Sequence, residues 1–360
     1  MSRNTQAIVD LGALRHNFEL ARRSAPGSRV MAVIKANAYG HGVLPVAQTL
    51  SDAEAFAVTS VEEALPLREA GFAQPIVLLQ GMYDDSELSL IGRLGCELVL
   101  HSLWQVELLE RASLSRPVAV WLKVDSGMHR LGFDPALVRP MYERLRACNT
   151  VDRIGFLTHL AAADDRDSDY TEFQLREFER ACAGLPGERS IANSAGVLAW
   201  PRAHGDWLRP GVMLYGVSPF ADGRDERPDL RPVMTLQSRL VAINACRRGD
   251  RLGYAGAYTC PENMAVGIVT AGYADGYPRH AGAKASVLLN GRRCPVLGRV
   301  SMDMLCVDLR GVEARIHDPV TLWGEGLPIE EVAELSGTIA YELLTKVTGR
   351  VRFEYREAEA

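Results

Sequence analysis

Eight short apolar runs, most of them separated by stretches with helical spacing, set the strongest limit on what this chain can fold into. The runs lie at 29–36, 55–60, 75–80, 96–101, 117–125, 153–161, 189–195 and 207–215. Helical spacing fills 61–70, 84–94, 103–112, 135–148 and 168–182. The runs are nearly continuous in apolar residues rather than alternating, as expected of strands buried on both faces in a parallel sheet covered by helices. Eight of them predict a closed (β/α)8 barrel, placed at residues 1–230. An open doubly wound sheet would carry a glycine-rich dinucleotide fingerprint after its first strand, and none stands there. A further helix is expected at 11–24, with Asp10 as its N-cap. The first six residues read as leading straight into that polar helical pattern, with no apolar signal segment.

The texture changes near Ala221. Residues 221–232 are polar, hold two prolines and read as a linker. Beyond them come short strand-like runs at 234–246, 264–270, 285–289, 293–300, 304–309 and 319–323. Asn290-Gly291 is a two-residue hairpin signal. With helices expected near 329–335 and 341–348, residues 231–360 read as a mainly β C-terminal domain. A chain of 360 residues has room for two such domains.

Charge and cysteine content exclude several classes. A net charge of −5 gives no basic face for nucleic acid. No apolar run is long enough to span a bilayer, so no membrane partner is expected. Seven cysteines, an odd number with no C-x-x-C, suggest neither a disulfide framework nor a metal site, and fit reduced thiols in the cytoplasm.

Barrel enzymes place their working groups at the carboxyl ends of the strands. The first run closes on Lys35, where a desolvated amine could form a Schiff base or act as a base. Alone, such a lysine is more often a snorkelling or salt-bridged group. Lys123 lies inside the fifth run, where a lysine must be paired, neutral or modified. Arg130 follows in a glycine-flanked loop suited to gripping a carboxylate. The sixth run ends at His159. The seventh ends at Asn193-Ser194, and the eighth carries Arg209-Pro210-Gly211-Val212, both with small residues and free amides suited to a phosphate. A lysine, a phosphate cradle and an arginine at one barrel mouth suit pyridoxal 5′-phosphate (PLP), whose aldehyde, phosphate and ring nitrogen need those partners.

The stretch Val33-Ile-Lys35-Ala-Asn-Ala-Tyr39-Gly-His-Gly42 resembles the PLP-lysine motif of the bacterial alanine racemases. Further matches follow in family order: 123–132 around Lys123 and Arg130, His159, Asn193-Ser194, Arg209-Pro-Gly, Gly253-Tyr254-Ala-Gly-Ala-Tyr258, Gly272-Tyr273-Ala-Asp-Gly276 and Ser301-Met302-Asp303-Met304. The resemblance spans Val9 to about Arg350. It implies a PLP barrel with a C-terminal β domain, and interconversion of L-alanine and D-alanine. That activity would either supply D-alanine, a peptidoglycan precursor, or consume it.

The resemblance also assigns roles. Lys35 would carry PLP. Tyr39, Ser194, Gly211 and Val212 would hold its phosphate, beside Asn193. Arg209 would face the ring nitrogen, and His159 would tune Arg209 or the ring hydroxyl side. Arg130 and Met302 would bind the substrate carboxylate. Lys123 would be the family's carbamylated lysine (N6-carboxylysine). Lys35 and Tyr254 would be the two opposed acid/bases that racemisation needs. Tyr254 would come from the neighbouring subunit, which implies a homodimer with shared sites. Tyr273 and Arg279 would line the entrance. Many members carry a C-terminal tyrosine where an ungapped alignment from Tyr341 sets Gly349, which leaves Tyr341 or Tyr355 to replace it. Two other readings share the barrel, a non-enzymatic PLP carrier and a PLP-dependent decarboxylase. The C-terminal domain, the second base and the lack of a decarboxylase-type glycine loop argue against them.

Overall fold

A computed structural model of the chain describes residues 4–114, 116–220 and 229–357. Its first strand, β1 (Gln6–Asp10), runs into a helix, Leu11–Ser24, whose N-terminus is capped by the Asp10 carboxylate accepting from the Ala13 amide at 2.8 Å. The helix buries Ala13, Leu14, Asn17, Phe18 and Ala21, one face at helical spacing. Asn17 is buried and fully used: its Nδ2 donates to the Leu214 and Arg231 carbonyls, and its Oδ1 accepts from the Arg231 amide.

Eight parallel strands then close into a barrel. They are β2 (Arg29–Val33), β3 (Ala55–Val58), β4 (Ile76–Leu78), β5 (Cys96–Leu100), β6 (Val118–Lys123), β7 (Val151–Leu157), β8 (Arg189–Ser190) and β9 (Trp207–Leu208). β3 and β4 are buried along their whole length, which is why their sequences do not alternate. The last two strands are much shorter than the runs at 189–195 and 207–215. Asn193 caps a helix, Ser194–Ala199, and takes the chain out of the sheet. After β9, Pro210 has no amide to donate and Gly211 leads into a 3-10 turn, Val212–Tyr215.

The C-terminal part is built from β10 (Met234–Cys246), β11 (Arg251–Leu252), β12 (Tyr258–Thr259), β13 (Met264–Val269), β14 (Ser286–Leu289), β15 (Arg292–Leu297), β16 (Leu305–Asp308), β17 (Pro319–Trp323) and β18 (Arg352–Arg356). The main sheet runs β13-β16-β15-β14-β17-β10-β1-β18, and a β10–β13 pairing folds it back on itself. Asn290 and Gly291, both at positive φ, make the tight β14–β15 hairpin. Helices Ile329–Leu335 and Ala340–Thr345 lie near the expected places.

Two features depart from the sequence reading. Residues 6–10 form a strand rather than the lead into a helix, and this strand pairs antiparallel with β10 and parallel with β18. Its three buried residues, Ala7, Ile8 and Val9, are too short a run to stand out between polar neighbours. β18 at the far end was likewise hidden by alternating charges. Most of the expected linker, residues 221–228, lies outside the described residues. All seven cysteines are free thiols. Among the described residues no helix is long and apolar enough to cross a membrane, and no cluster of His, Cys, Asp and Glu could hold a metal ion.

Candidate active site

Lys35 leaves the barrel directly after β2, and the four residues after it, Ala36, Asn37, Ala38 and Tyr39, all take left-handed backbone conformations, with φ of 52°, 53°, 54° and 51°. Four consecutive non-glycine residues there cost roughly 1–2 kcal/mol each, so the surroundings must impose the turn. Several contacts do. The amide of Gly40, itself at φ 83°, donates to the Ala36 carbonyl, and the Val43 amide donates to the Asn37 side chain at 2.8 Å. The buried imidazole of His41 donates from Nδ1 to the carbonyls of Ala38 and Tyr39, both at 3.0 Å. Three rings brace the turn: Tyr39 and His41 each stack on Tyr215, with centroids 4.8 and 4.5 Å away.

Around Lys35 the barrel mouth gathers cations. Lys123 is buried, and burial together with Arg209, Arg130 and Lys35 brings its amine down to about 8. Burial, and then Arg130, lower the Lys35 amine, against which Glu63 acts in the opposite direction. His159 is held well below the usual imidazole range by burial and by Arg209, Lys123, Arg130 and Lys35, so it is neutral at pH 7. Arg209 is buried at 4% exposure, and burial brings its guanidinium down to about 9. Arg209 therefore stays protonated at neutral pH. It donates to Ser190 Oγ and to the Thr158 and Ile191 carbonyls, which leaves its Nε–H without a partner among the described residues. A mouth this rich in positive charge is built for an anion.

A small-residue cradle adjoins it. Ser194 Oγ accepts from the amides of Gly211 at 2.9 Å and Met213 at 3.3 Å, with Val212 between them. A Cβ on Gly211 would stand 2.7 Å from the Tyr39 hydroxyl, so only glycine lets the two segments meet. Asn193 is placed differently from the sequence expectation. Its Oδ1 caps Gly196 at 3.0 Å and its Nδ2 reaches the Leu160 carbonyl, so its side chain orders the cradle rather than facing it. Arg130 is exposed at the rim.

Tyr254, Tyr273, Arg279 and Met302 lie elsewhere, all exposed on the C-terminal domain. Tyr273 and Ala274 donate backbone bonds to the Ser301 and Met302 carbonyls, which locks those two loops together. Leu252 and Tyr258, which flank the Tyr254 turn on β11 and β12, approach Gly298 just ahead of them. Tyr254 is 67% exposed, and among the described residues no hydrogen bond or ring contact joins it to the barrel mouth of its own chain. Gly349 is exposed with open space around it. The C-terminal tyrosine at the mouth is Tyr341, with its ring 6.1 Å from Tyr39 and its phenol pushed up by burial to about 12.

Residues 9–219 match the alanine racemase N-terminal domain family, and residues 233–355 match the alanine racemase C-terminal domain family. The chain is 55% identical to the alanine racemase of Halorhodospira halophila, over 100% of both chains. It is 51% identical to that of Nitrosococcus oceani, over 96% of this chain and 98% of the relative. The chain belongs to the alanine racemase family. Its fold superposes on the biosynthetic alanine racemase of Pseudomonas aeruginosa with a TM-score of 0.95 at 47% identity, over 98% of this chain and 99% of that one. The Acinetobacter baumannii alanine racemase gives 0.92 at 36% identity, over 98% and 100%.

Within this alanine racemase fold, His41, Tyr215 and Glu63 had no assigned role in the sequence reading, and Tyr341 had one only as an alternative to Tyr355. His41 and Tyr215 brace the left-handed turn, and Tyr341 closes on Tyr39. Glu63 binds the backbone beside Lys35 at 2.6 Å. His41 stood inside the lysine motif and was a visible candidate. Glu63 carried no such signal, because one glutamate in an amphipathic helix looks like any solvated residue.

Proposed function

We propose that the chain interconverts L-alanine and D-alanine with PLP as cofactor, in a cytoplasmic homodimer whose two sites each draw Lys35 from one copy and Tyr254 from the other. The observation that carries this reading is the meeting, at one barrel mouth, of a desolvated amine, a buried guanidinium with a spare Nε–H, and the Ser194–Gly211 cradle.

That set fits PLP on chemical grounds. Lys35 offers the amine for the aldehyde. Ser194, the Val212 amide and the Tyr39 hydroxyl would donate to the phosphate, joined by the Gly211 amide on leaving Ser194 Oγ, next to Asn193, which orders them. The Nε–H of Arg209 suits the ring nitrogen, and neutral His159 packs beside it. When bound, PLP supplies a conjugated ring that accepts the electron pair left at Cα. Because Arg209 keeps its own proton, it would hold the ring nitrogen by a hydrogen bond without protonating it.

Lys35 Nζ and Tyr254 Oη are assigned to opposite faces of Cα, one taking the α-proton while the other gives one back. Arg130 and the Met302 amide hold the substrate carboxylate, and Tyr273 and Arg279 line the way in. Tyr254, Tyr273, Met302 and Met304 are large apolar side chains left exposed on the loops of the C-terminal domain, as residues awaiting a partner surface would be. Lys123 is assigned a carbamate, which would replace one buried cation by an anion able to pair with Arg130.

Chiral chromatography of alanine after incubation with PLP-loaded protein tests the reading. L-alanine is expected to yield D-alanine, and Lys35→Ala is expected to lose both turnover and covalent retention of PLP. A PLP-loaded protein that leaves L-alanine unchanged would overturn it.

A further inference from the structure

We infer that Glu63 is a positioning residue for Lys35, fixing the peptide next to it and setting a negative charge within reach of its amine.

Lys35 sits between two pinned amides. On one side, the Ile34 amide donates to the Ala57 carbonyl at 3.0 Å, extending the β2–β3 ladder. On the other, the Ala36 amide donates to Glu63 Oε1 at 2.6 Å. The second carboxylate oxygen accepts from the Thr59 amide at 2.8 Å and the Thr59 hydroxyl at 2.7 Å. One carboxylate thus ties the loop after β3 to the chain leaving β2. Ala36 is also the first of the four left-handed residues, so the bond holds the strained turn where it begins. A charge-assisted bond to a carboxylate suits that load. Glu63 lies in the first turn of helix Val61–Glu69, where a negative charge is favoured.

The charge matters as much as the bond. Arg130 faces Lys35 from the loop after β6, Lys123 from β6 itself and His159 from the strand end beyond, while Arg209 acts on Lys123 and His159. Asp125 opposes these cations at Lys123, and Glu63 opposes burial and Arg130 at Lys35. Tyr83 faces Glu63 from the loop after β4, with Glu62 and Glu87 nearby. Removing the Glu63 charge therefore moves the Lys35 amine to a lower pKa. Removing its acceptor oxygens loosens the peptide that aims it.

The inference rests on Lys35 being the cofactor-bearing amine, but its test does not need turnover. Cofactor-free protein is acylated with limiting anhydride across a pH series, and Lys35 labelling is followed by mass spectrometry. Lys35 in Glu63→Gln is expected to titrate at lower pH than in wild type, and in Glu63→Asp, which keeps the charge, closer to wild type. Glu63→Ala is expected to bind PLP more weakly, and kcat/KM to fall by about 10²-fold if the amine moves by about 1 Å. Thermal melting identifies any variant that fails to fold, in which case Glu63→Asp carries the comparison through its effect on PLP affinity. Lys35 titrating at the wild-type pH in Glu63→Gln, or unchanged PLP affinity in the truncated variants, overturns the inference. A shifted Lys35 in a protein with no racemase activity would uphold it and overturn the proposed function instead.

Discussion

The Tyr355 phenol donates a hydrogen bond to the backbone carbonyl of His41 at 3.1 Å, joining the last strand of the chain to the turn that follows Lys35. The same hydroxyl fills the space beside Gly42, where a Cβ would stand 2.2 Å from it. The C-terminal domain thus helps to hold the lysine turn of its own barrel.

Tyr355→Phe is expected to cost about 1 kcal/mol, the net worth of one hydrogen bond. Gly42→Ala is expected to cost about 2–5 kcal/mol, from the clash together with the strain of a side chain at φ 94°. Combining the two should recover only the clash. Urea unfolding measures all three, and a Gly42→Ala protein as stable as wild type would contradict the geometry.

His41 makes stability depend on pH. Burial holds its imidazole at about 4, against about 6.5 in the unfolded chain. The unfolded state therefore binds the extra proton between those values. The stabilisation is complete above pH 6.5 and is lost as pH falls towards 4. By pH 5 the loss is about 2 kcal/mol. Between pH 7 and pH 5, wild type should lose about that much more stability than His41→Phe. Equal losses would show that His41 is not the buried neutral group described.

Lys123 titrates near 8, so about half of its amine is neutral at that pH. The neutral nitrogen can attack dissolved carbon dioxide, forming the N–C bond and releasing one proton to water. With carbon-13-labelled bicarbonate at pH 8, NMR should show a carbamate resonance in wild type that is missing from Lys123→Met. A spectrum without any Lys123-dependent resonance would remove the modification from the account.

The barrel was legible because strands such as β3 and β4 are buried along their whole length and write unbroken apolar runs. β1 was not, because its burial depends on β10 and β18, more than 220 residues away. The mouth was legible in Lys35, Lys123, His159 and Arg209, where polar residues interrupt or end apolar runs. The left-handed turn was invisible, since Ala36-Asn37-Ala38-Tyr39 holds no glycine and tertiary contacts alone impose its conformation. Asn193 was read as a residue beside the phosphate site, and its capping of the helix that starts at Ser194 was not visible in the sequence.

Complementation between two inactive variants tests the shared site most directly. Lys35→Ala and Tyr254→Phe proteins are unfolded together, refolded with PLP and assayed for conversion of L-alanine to D-alanine. If each site draws on two copies, random pairing leaves one intact site in half of the dimers, and activity should return to about a quarter of wild type. If mixed dimers form and the mixture stays as inactive as its parts, the amine and the phenol do not serve one substrate.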